Sequence, residues 1–336
     1  MSFKDDAYDA INSTKPGHIF LRTRRKIRNV ALRGKVKKTD YSFENRSKGS
    51  DKLCIILAGY KEPLWNEVFK RIAAFVPDDV DVCIMTSGLV NEALRETARR
   101  YNWSYLSTAV NHLSFIQNLA IKLHPNAQWI YKLDEDMFLT EGFFEAMLDT
   151  WREVEDNTLY APAFIAPLIN VNCYSHLRLL EKLGLIEDFR ATGLTEMKYA
   201  EGLNSNLNVI EEPAVARYLW GETQPVLRDI DALTKRFSAE PLAYSICPMR
   251  FSIGAILLSR ANWIQFGGFP ISFEGSNYGI GDDEELIGYY AFFYGKAIVV
   301  NENVVVGHLG YGPQTKAMLE YYERHEDWFA LKSDQA

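Results

Sequence analysis

"YKLDEDMFLT", residues 131–140, places three acidic residues, Asp134, Glu135 and Asp136, between two apolar runs. Apolar neighbours on both sides predict a buried segment, and unpaired carboxylates are among the costliest groups to bury. The residues before the triplet, WIYKL, have the apolar and aromatic character of a buried strand. The stretch therefore predicts a strand that ends in carboxylates, at a point that water, a metal ion or a ligand can reach.

The segments upstream of this strand alternate between buried strands and helices. LCIILAGY (53–60) and VDVCIMTS (80–87) are continuous apolar runs of the kind found in parallel sheets. Helical spacing follows in residues 62–75, 91–101 and 113–124. This alternation predicts an α/β fold with a mixed, mostly parallel sheet flanked by helices. Ligands bind at the carboxyl ends of the strands in such sheets, where the acidic triplet is expected to lie.

Cysteine spacing and the lack of targeting signals indicate where in the cell the protein is expected. The chain has 336 residues and four cysteines, none in a CxxC pair, so we expect a reduced, intracellular protein without structural zinc. The opening MSFKDDAYDA lacks the charged-then-apolar layout of a signal peptide, and no apolar stretch is long enough to span a bilayer. We therefore expect a cytoplasmic protein.

Charge is unevenly distributed along the chain. Residues 1–50 carry 13 Lys or Arg against 5 Asp or Glu, which leaves a net charge of −15 on the remainder. Residues 14–39 hold ten basic side chains and no acidic one, and a helix would place Phe20, Ile27 and Ala31 on one stripe. Such a helix suits an anionic membrane, here the inner face. A solvated arm, packed on the acidic body or touching nucleic acid, is the alternative, although the acidic body argues against nucleic acid as the main partner.

Asp134 and Asp136 form a D-x-D pair at the expected strand end. This spacing lets two carboxylates point the same way while Glu135 turns aside. Mg²⁺ or Mn²⁺ held there would bridge the phosphates of a nucleotide-sugar and offset the charge on the leaving diphosphate. A solvated loop is the alternative for such a pair taken alone. A nucleotidylyltransferase is disfavoured, because GYKEP (59–63) supplies no Gly-rich loop for a triphosphate.

Three further motifs accompany the pair. NHLSFIQNLA carries Asn111 and Asn118, with six residues between them, before the acidic triplet. RFSIGAILLSRANWIQFGGF (250–269) is an apolar strand followed by Gly-Gly-Phe, and GIGDDEELIGYYAFFYG (279–295) is an acidic turn that enters a helix. In this order the motifs resemble the GT-A glycosyltransferases, particularly the large family-2-like group, whose acidic segment reads G-[ED]-D-x-[DE]-L.

The resemblance covers roughly residues 52–160 and 250–310. It implies a Rossmann-like GT-A catalytic domain over residues 51–312. Within that domain, residues 160–245 would be a helical acceptor-side insert. Outside it lie a basic arm and linker at 1–50 and a C-terminal helix or tail at 313–336.

Carried over residue by residue, the resemblance implies the roles of the acidic groups. Asp134 and Asp136 would be the metal-binding pair, with Asp136 the direct ligand, and Asp134 and Glu135 would also adjoin the donor. Asp283 would be the base that takes the proton of the acceptor hydroxyl in an inverting displacement. Asp282 and Glu285 would lie against the acceptor. The alternative for this acidic run is a helix first turn, which the macrodipole favours.

Other positions would complete the site. His308 ends the last strand and would be the third metal ligand, although a lone histidine is more often structural. Tyr60 and Glu62 would lie near the base of the nucleotide, for which uracil is expected, and Arg250 would meet the diphosphate unless it forms a surface ion pair.

The sequence thus predicts a metal-dependent, inverting glycosyltransferase. It would move a sugar from a UDP-sugar to a glycan or lipid-linked glycan in bacterial surface polysaccharide or lipopolysaccharide synthesis. A sugar-nucleotide nucleotidylyltransferase and a non-catalytic nucleotide-sugar-binding relative are the alternatives.

Overall fold

The computed structural model describes residues 14–195, 198–200, 206–272 and 281–332. Strands and helices alternate through the first half, as their apolar periodicity predicts. The strands are β1 Tyr41–Glu44, β2 Lys52–Leu57, β3 Val80–Ser87, β4 Ser104–Thr108, β5 Trp129–Asp134, β6 Met137–Phe138, β7 Pro162–Ile169, β8 Tyr244–Ile246, β9 Ala255–Ser259 and β10 Ala297–His308. The helices are α1 Lys15–Lys37, α2 Glu62–Phe75, α3 Glu92–Arg100, α4 Leu113–Leu123, α5 Phe143–Asn157, α6 Ser175–Leu183, α7 Ile186–Ala191, α8 Leu207–Glu211, α9 Pro213–Leu219, α10 Ile230–Ser238, α11 Arg260–Gln265, α12 Asp282–Phe293, α13 Thr315–Arg324 and α14 Glu326–Phe329.

All the strands belong to one sheet with the order β1-β4-β3-β2-β5-β9-β7-β10-β6, and β8 pairs with β10. The pairs β2–β3, β2–β5, β3–β4 and β7–β10 are parallel. Strand β9 runs antiparallel between β5 and β7. The core side chains of β2, β3 and β5 are almost completely buried, because helices cover both faces of a largely parallel sheet. The predicted mixed α/β fold is confirmed.

The strand order reverses beside the acidic triplet. From β2 the chain moves outward to β3 and β4, then returns to place β5 on the other side of β2. Leu57 at the end of β2 is paired with Asp134 at the end of β5. A reversal of this kind leaves a crevice between the two strand ends, which is where open α/β sheets bind ligands.

Two segments contain strands that their sequence did not reveal. Residues 41–44, expected in a linker, form the edge strand β1, whose pairing on one side tolerates polar side chains. Residues 162–169, at the start of the expected 160–245 insert, form the buried strand β7. Its prolines concealed it. Pro162 is the first residue of the strand, and Pro167 lies where the pairing with β10 shifts register, a place where a missing N–H is tolerated.

The basic segment is helical, and most of its apolar stripe is exposed. Phe20 and Ile27 are more than half accessible, whereas Val36 at the other end is buried. Arg33 Nε donates to the carbonyl of Ile271 at 3.3 Å, which joins the end of α1 to the body. No helix in the described part of the chain is long and apolar enough to cross a membrane.

Candidate active site

A cleft of about 580 Å³ opens at the carboxyl ends of β2 and β5. The start of β9 forms its floor, since the amide of Asp134 donates to the carbonyl of Gly254 at 2.8 Å. The end of β10 and the N-terminus of α12 form parts of its wall. Strands β5, β7 and β10 run in the same direction, so their polar ends meet at one edge of the sheet.

The three carboxylates of the triplet point to three different partners. Asp134 accepts from Lys132 Nζ at 2.9 Å. Glu135 accepts from the amides of Gly59 and Tyr60 and from the indole of Trp65, so it fastens the loop after β2. Asp136 is paired with Lys61. Each buried charge therefore has a partner of its own, as burial requires.

Asp136 also faces His308. The ring Nε2 lies 3.3 Å from Asp136 Oδ2, and Nδ1 lies 2.7 Å from the carbonyl of Val171. A carbonyl can only accept, so Nδ1 must carry a proton and donate. The Nε2 of the neutral ring then presents a lone pair toward the carboxylate. An arrangement of this kind requires a cation between the two groups or a second proton on the ring.

The pKa values of the two aspartates shift in opposite directions. Burial acts against ionisation of Asp136, but Lys61 and His308 outweigh it and hold the pKa of Asp136 below its usual value. Burial raises the pKa of Asp134, with Asp136 adding to the effect and Lys132 opposing it. The pKa of Lys61 is raised, because the nearby carboxylates outweigh its own desolvation. Of the pair, Asp136 is thus the one whose surroundings favour the charged form.

The wall formed by α12 presents two further carboxylates. Asp283 Oδ2 accepts from Gln117 Nε2 at 3.1 Å, and its Oδ1 accepts from the amide of Glu284 at 3.0 Å. Glu284 lies 3.5 Å from Arg250 and 3.4 Å from Ser252 Oγ. Burial raises the pKa of Glu284 to about 7, and Arg250 opposes this rise only in part. The cleft is therefore lined by the Asp136–His308 pair and by two carboxylates of α12.

Some of the other predicted residues also line the cleft. Tyr60 is exposed at its edge, and its hydroxyl accepts from Asn111 Nδ2 at 3.2 Å. Arg250 lines it beside Glu284. Three predicted residues, Glu62, Asp282 and Glu285, are not among the described residues that line the cleft. Glu62 begins α2, Asp282 accepts from Ser272, and Glu285 lines a second cavity behind α12.

The asparagines serve the fold. Asn118 Oδ1 accepts from Trp263 Nε1 and from the amide of Phe269, and its Nδ2 donates to the carbonyl of Phe269. A Cβ on Gly268 would lie 2.9 Å from that oxygen, which explains the Gly-Gly-Phe turn. Asn170 and Asn172 accept from the amides of Val171 and Tyr174, as asparagine side chains often do in loops.

No three His, Cys, Asp or Glu side chains converge into a metal cage in the part of the chain that the structure describes. Asp136 and His308 do converge, and the ammonium of Lys61 contacts the same carboxylate oxygen. Asp134 turns toward Lys132 instead. The donor set suits a cation that takes its other ligands from water or from a bound anion.

Sequence reasoning missed three charged residues of the site: Lys61, Lys132 and Glu284. Lys132 had a signal, since a lysine inside the apolar strand WIYKLD must be buried and must find a counter-charge. Lys61 directly follows the first strand, where ligand-binding groups collect. Glu284 is at the unspecified position x of the acidic motif, and only the direction of its side chain distinguishes it from its acidic neighbours.

No protein-family model and no curated protein matches the chain. Among solved structures it is similar to a mannosyltransferase, PcManGT from Pyrobaculum calidifontis in complex with GDP-Man and Mn²⁺, at 13% identity and TM-score 0.42 over 90% of this chain and 68% of that one. It is also similar to S. aureus TarS, at 12% identity and TM-score 0.41 over 82% of this chain and 39% of that one.

A third similarity is to TarS 1–349 in complex with UDP-GlcNAc, at 15% identity and TM-score 0.28 over 35% of this chain and 34% of that one. The chain thus spans little more than a third of TarS. At TM-scores below 0.5 none of these likenesses establishes a shared activity.

Proposed function

We propose that this protein is a glycosyltransferase that moves a sugar from a nucleotide-sugar, with UDP as the nucleotide, to a hydroxyl of a glycan or lipid-linked glycan. One observation carries the proposal. Asp136 and His308 converge on one point at the strand reversal, and Asp283 and Glu284 face the same cleft from α12. This arrangement would bring a cation-binding pair and proton-accepting carboxylates to one cleft, as transfer from a diphosphate to a hydroxyl requires.

Mn²⁺ or Mg²⁺ fits the Asp136–His308 side. A metal-binding histidine usually donates its second ring N–H to a carbonyl or carboxylate, and His308 already donates to Val171. A carboxylate and an imidazole suit either ion, with diphosphate oxygens as the further ligands. The metal, when bound, would offset the charge that develops on the leaving diphosphate. Asp134, held by its ion pair with Lys132, would add negative charge beside the Asp136–His308 pair.

The chain's own residues supply the remaining steps. Tyr60 at the mouth offers a ring on which a nucleobase can stack, and Arg250 offers a guanidinium to an anionic group. Asp283, held by Gln117, would take the proton of the acceptor hydroxyl as it attacks the anomeric carbon from the side opposite the diphosphate. Attack from that side inverts the configuration at this carbon.

The nucleotidylyltransferase alternative is weakened by the loop after β2. That reaction needs free backbone amides to cradle a triphosphate. Here the carboxylate of Glu135 already accepts from the amides of Gly59 and Tyr60. The loop that would hold the phosphates is therefore bound to an anion of the protein itself. A non-catalytic relative would not need Asp283 and Glu284 to face the cation side.

The cellular setting that we propose is the cytoplasmic face of a bacterial membrane, in surface polysaccharide or lipopolysaccharide assembly. The exposed basic helix α1 supports attachment to anionic lipid, since residues 15–37 include no Asp or Glu that would repel it. In this proposal residues 51–312 form the catalytic domain and the helices between β7 and β8 build the acceptor side.

Calorimetric titration of UDP, GDP and CDP, each with and without Mn²⁺, tests the proposal. We expect UDP to bind only with Mn²⁺, and Asp136→Asn to weaken that binding by about tenfold to a hundredfold, because a direct metal ligand is lost. Asp149→Asn, an exposed aspartate on α5, is the matched control and should bind as the wild type does. Failure of all three nucleotides to show metal-linked binding would overturn the proposal.

A further inference from the structure

A second cavity, of about 490 Å³, lies behind the α12 wall of the cleft. We call it the α12 cavity. It lies between α12, the segment that joins β8 to β9, and the start of β10, and its volume is within the roughly 300–1,000 Å³ typical of small-molecule sites. Its apolar lining comes chiefly from Met249, Tyr289, Phe292 and Ile298. Such a lining favours an apolar ligand over a sugar or a nucleotide.

The α12 cavity adjoins the cleft and shares two lining residues with it. Arg250 and Glu284 line both, so they stand at the boundary between an apolar space and the candidate active site. Arg250 Nε is buried and has no hydrogen-bond partner in the described part of the chain, and the contact of its guanidinium with Glu284 is long, at 3.5 Å. A buried N–H without an acceptor favours an anionic oxygen from a ligand.

The lining of the cavity includes a glycine in the middle of a helix. Gly288 is an interior residue of α12, where glycine is less favourable than residues that carry a side chain. A Cβ added there would meet nothing within 4 Å. The missing side chain therefore leaves space open, and a larger residue would fit the helix while it fills the cavity.

We propose that the α12 cavity holds the apolar chain of a lipid acceptor, with the phosphate of that lipid at Arg250 and its reacting end in the cleft. The assignment as an acceptor rests on the proposed function. The apolar lining and the unpartnered Nε of Arg250, a residue that faces both spaces, argue for a ligand that is apolar at one end and anionic at Arg250. Tyr289 and Phe292, both exposed at the mouth, would cover the chain where it leaves the protein.

Binding of dodecyl phosphate, kept below its micelle concentration, tests the site in the full-length protein. We expect dodecyl phosphate to bind at least about tenfold more tightly than inorganic phosphate, because each buried methylene strengthens binding about fourfold. Gly288→Leu should weaken dodecyl phosphate by about tenfold and leave inorganic phosphate unchanged, since it fills only the apolar part. Arg250→Gln should weaken both.

Phe292→Ser and Phe293→Ser form the matched pair. Both aromatics are on α12 and similarly exposed, at 79% and 71%, but only Phe292 lines the cavity. Phe292→Ser should weaken dodecyl phosphate severalfold and Phe293→Ser should leave it within about twofold. Equal effects of the two, or wild-type binding by folded Gly288→Leu, would overturn the proposal, because the chain would then lie elsewhere. Thermal melting checks that each variant folds. If Gly288→Leu does not fold, the comparison of Phe292→Ser with Phe293→Ser tests the proposal.

UDP titration with Mn²⁺ on the same samples separates this inference from the proposed function. Metal-linked UDP binding that is unchanged in Gly288→Leu, with dodecyl phosphate weakened, supports both. UDP binding without dodecyl phosphate binding removes the lipid chain and leaves the glycosyltransferase proposal intact. Dodecyl phosphate binding without nucleotide binding supports the cavity as a lipid site and removes its role as an acceptor site.

Discussion

Asp283 and Glu284 are neighbours in the first turn of α12, yet their carboxylates have different surroundings. Consecutive helix positions are about 100° apart, so one turn can line two spaces. Asp283 is held by Gln117 at the cleft, whereas Glu284 lies against Arg250 and Ser252 at the boundary with the α12 cavity. Of the two, Asp283 is the proposed base for an acceptor hydroxyl in the cleft, and Glu284 is the one that contacts Arg250.

Asp283→Asn should therefore abolish transfer and preserve nucleotide binding. Loss of a general base reduces the rate by about 10²–10⁴-fold, and the variant keeps the shape that Gln117 contacts. Sugar transfer or donor hydrolysis, measured beside UDP calorimetry, checks the split. Glu284→Gln is the comparison and should retain most of the rate. An equal loss of binding and rate in Asp283→Asn, or a larger rate loss in Glu284→Gln, contradicts the assignment.

Glu284 should also make stability depend on pH. Burial raises its pKa from 4.5 to about 7, so between these values the folded protein holds a proton that the unfolded chain has released. The free energy of unfolding should then fall as pH rises through this window, by up to about 3 kcal/mol from this residue. Of the groups around the carboxylate, Arg250, Lys132 and Ser252 favour its charged form and reduce this effect, whereas Asp283 adds to it.

Urea unfolding from pH 4.5 to 8 measures this dependence. Glu284→Gln cannot ionise, so its stability should change less across the window and exceed that of the wild type at pH 8. Glu323→Gln, on the exposed side of α13, removes the same charge at the surface and should follow the wild-type curve. Parallel curves for wild type and Glu284→Gln would show that Glu284 is ionised in the folded protein.

At the scale of elements, the sequence predicted a strand or helix wherever its apolar residues followed one clear pattern. The apolar runs of β2, β3 and β5 and the helical spacing of α2 and α4 predicted these elements, and the strand end at Asp134 followed from them. The sequence could not predict which basic residues form ion pairs with the carboxylates. Lys61 is 75 residues from Asp136 in the chain, and only the strand reversal brings them together.

The same limit applies to α2 and α10, which a buried ion pair joins. Arg71 donates to both oxygens of Asp231 at 2.8 and 2.9 Å, lies near Glu67, and also donates to the carbonyls of Leu139 and Phe329. Neither helix indicates this contact, because Arg71 and Asp231 are 160 residues apart. Arg71 thereby links α2, α10 and the C-terminal segment behind the cleft.

Asp231→Ala should destabilise the protein by about 3–5 kcal/mol, because it leaves the buried guanidinium of Arg71 with fewer partners. Denaturant unfolding measures the change. Asp149→Ala is the control, since its pair with Arg152 is exposed and should contribute no more than about 1 kcal/mol. A loss below 1 kcal/mol for Asp231→Ala would show that Glu67 and the carbonyls alone satisfy Arg71.

At the scale of the whole molecule, charge is divided between a basic helix and an acidic body. Ile19, Phe20, Ile27 and Val30 fall within about 100° of the circumference of α1 and are all more than half exposed. The other end of α1 is tied to Ile271, next to Ser272, which donates to Asp282 at the start of α12. A surface that binds α1 would therefore lie near the start of α12, which we propose as the acceptor side of the cleft.

We accordingly expect the protein to bind vesicles that contain anionic lipid and not purely zwitterionic ones. Each basic side chain near an anionic surface contributes about 1 kcal/mol, so Arg24→Ser with Lys26→Ser should weaken binding by about tenfold or more, and added salt should weaken it further. Phe20→Ser tests the apolar contribution and should weaken binding without changing its salt dependence. Lys122→Ser, a basic residue exposed on α4, is the control and should bind like the wild type. Co-sedimentation at several salt concentrations measures all four. Equal binding to both kinds of vesicle, or none, would instead indicate that α1 packs against another protein surface.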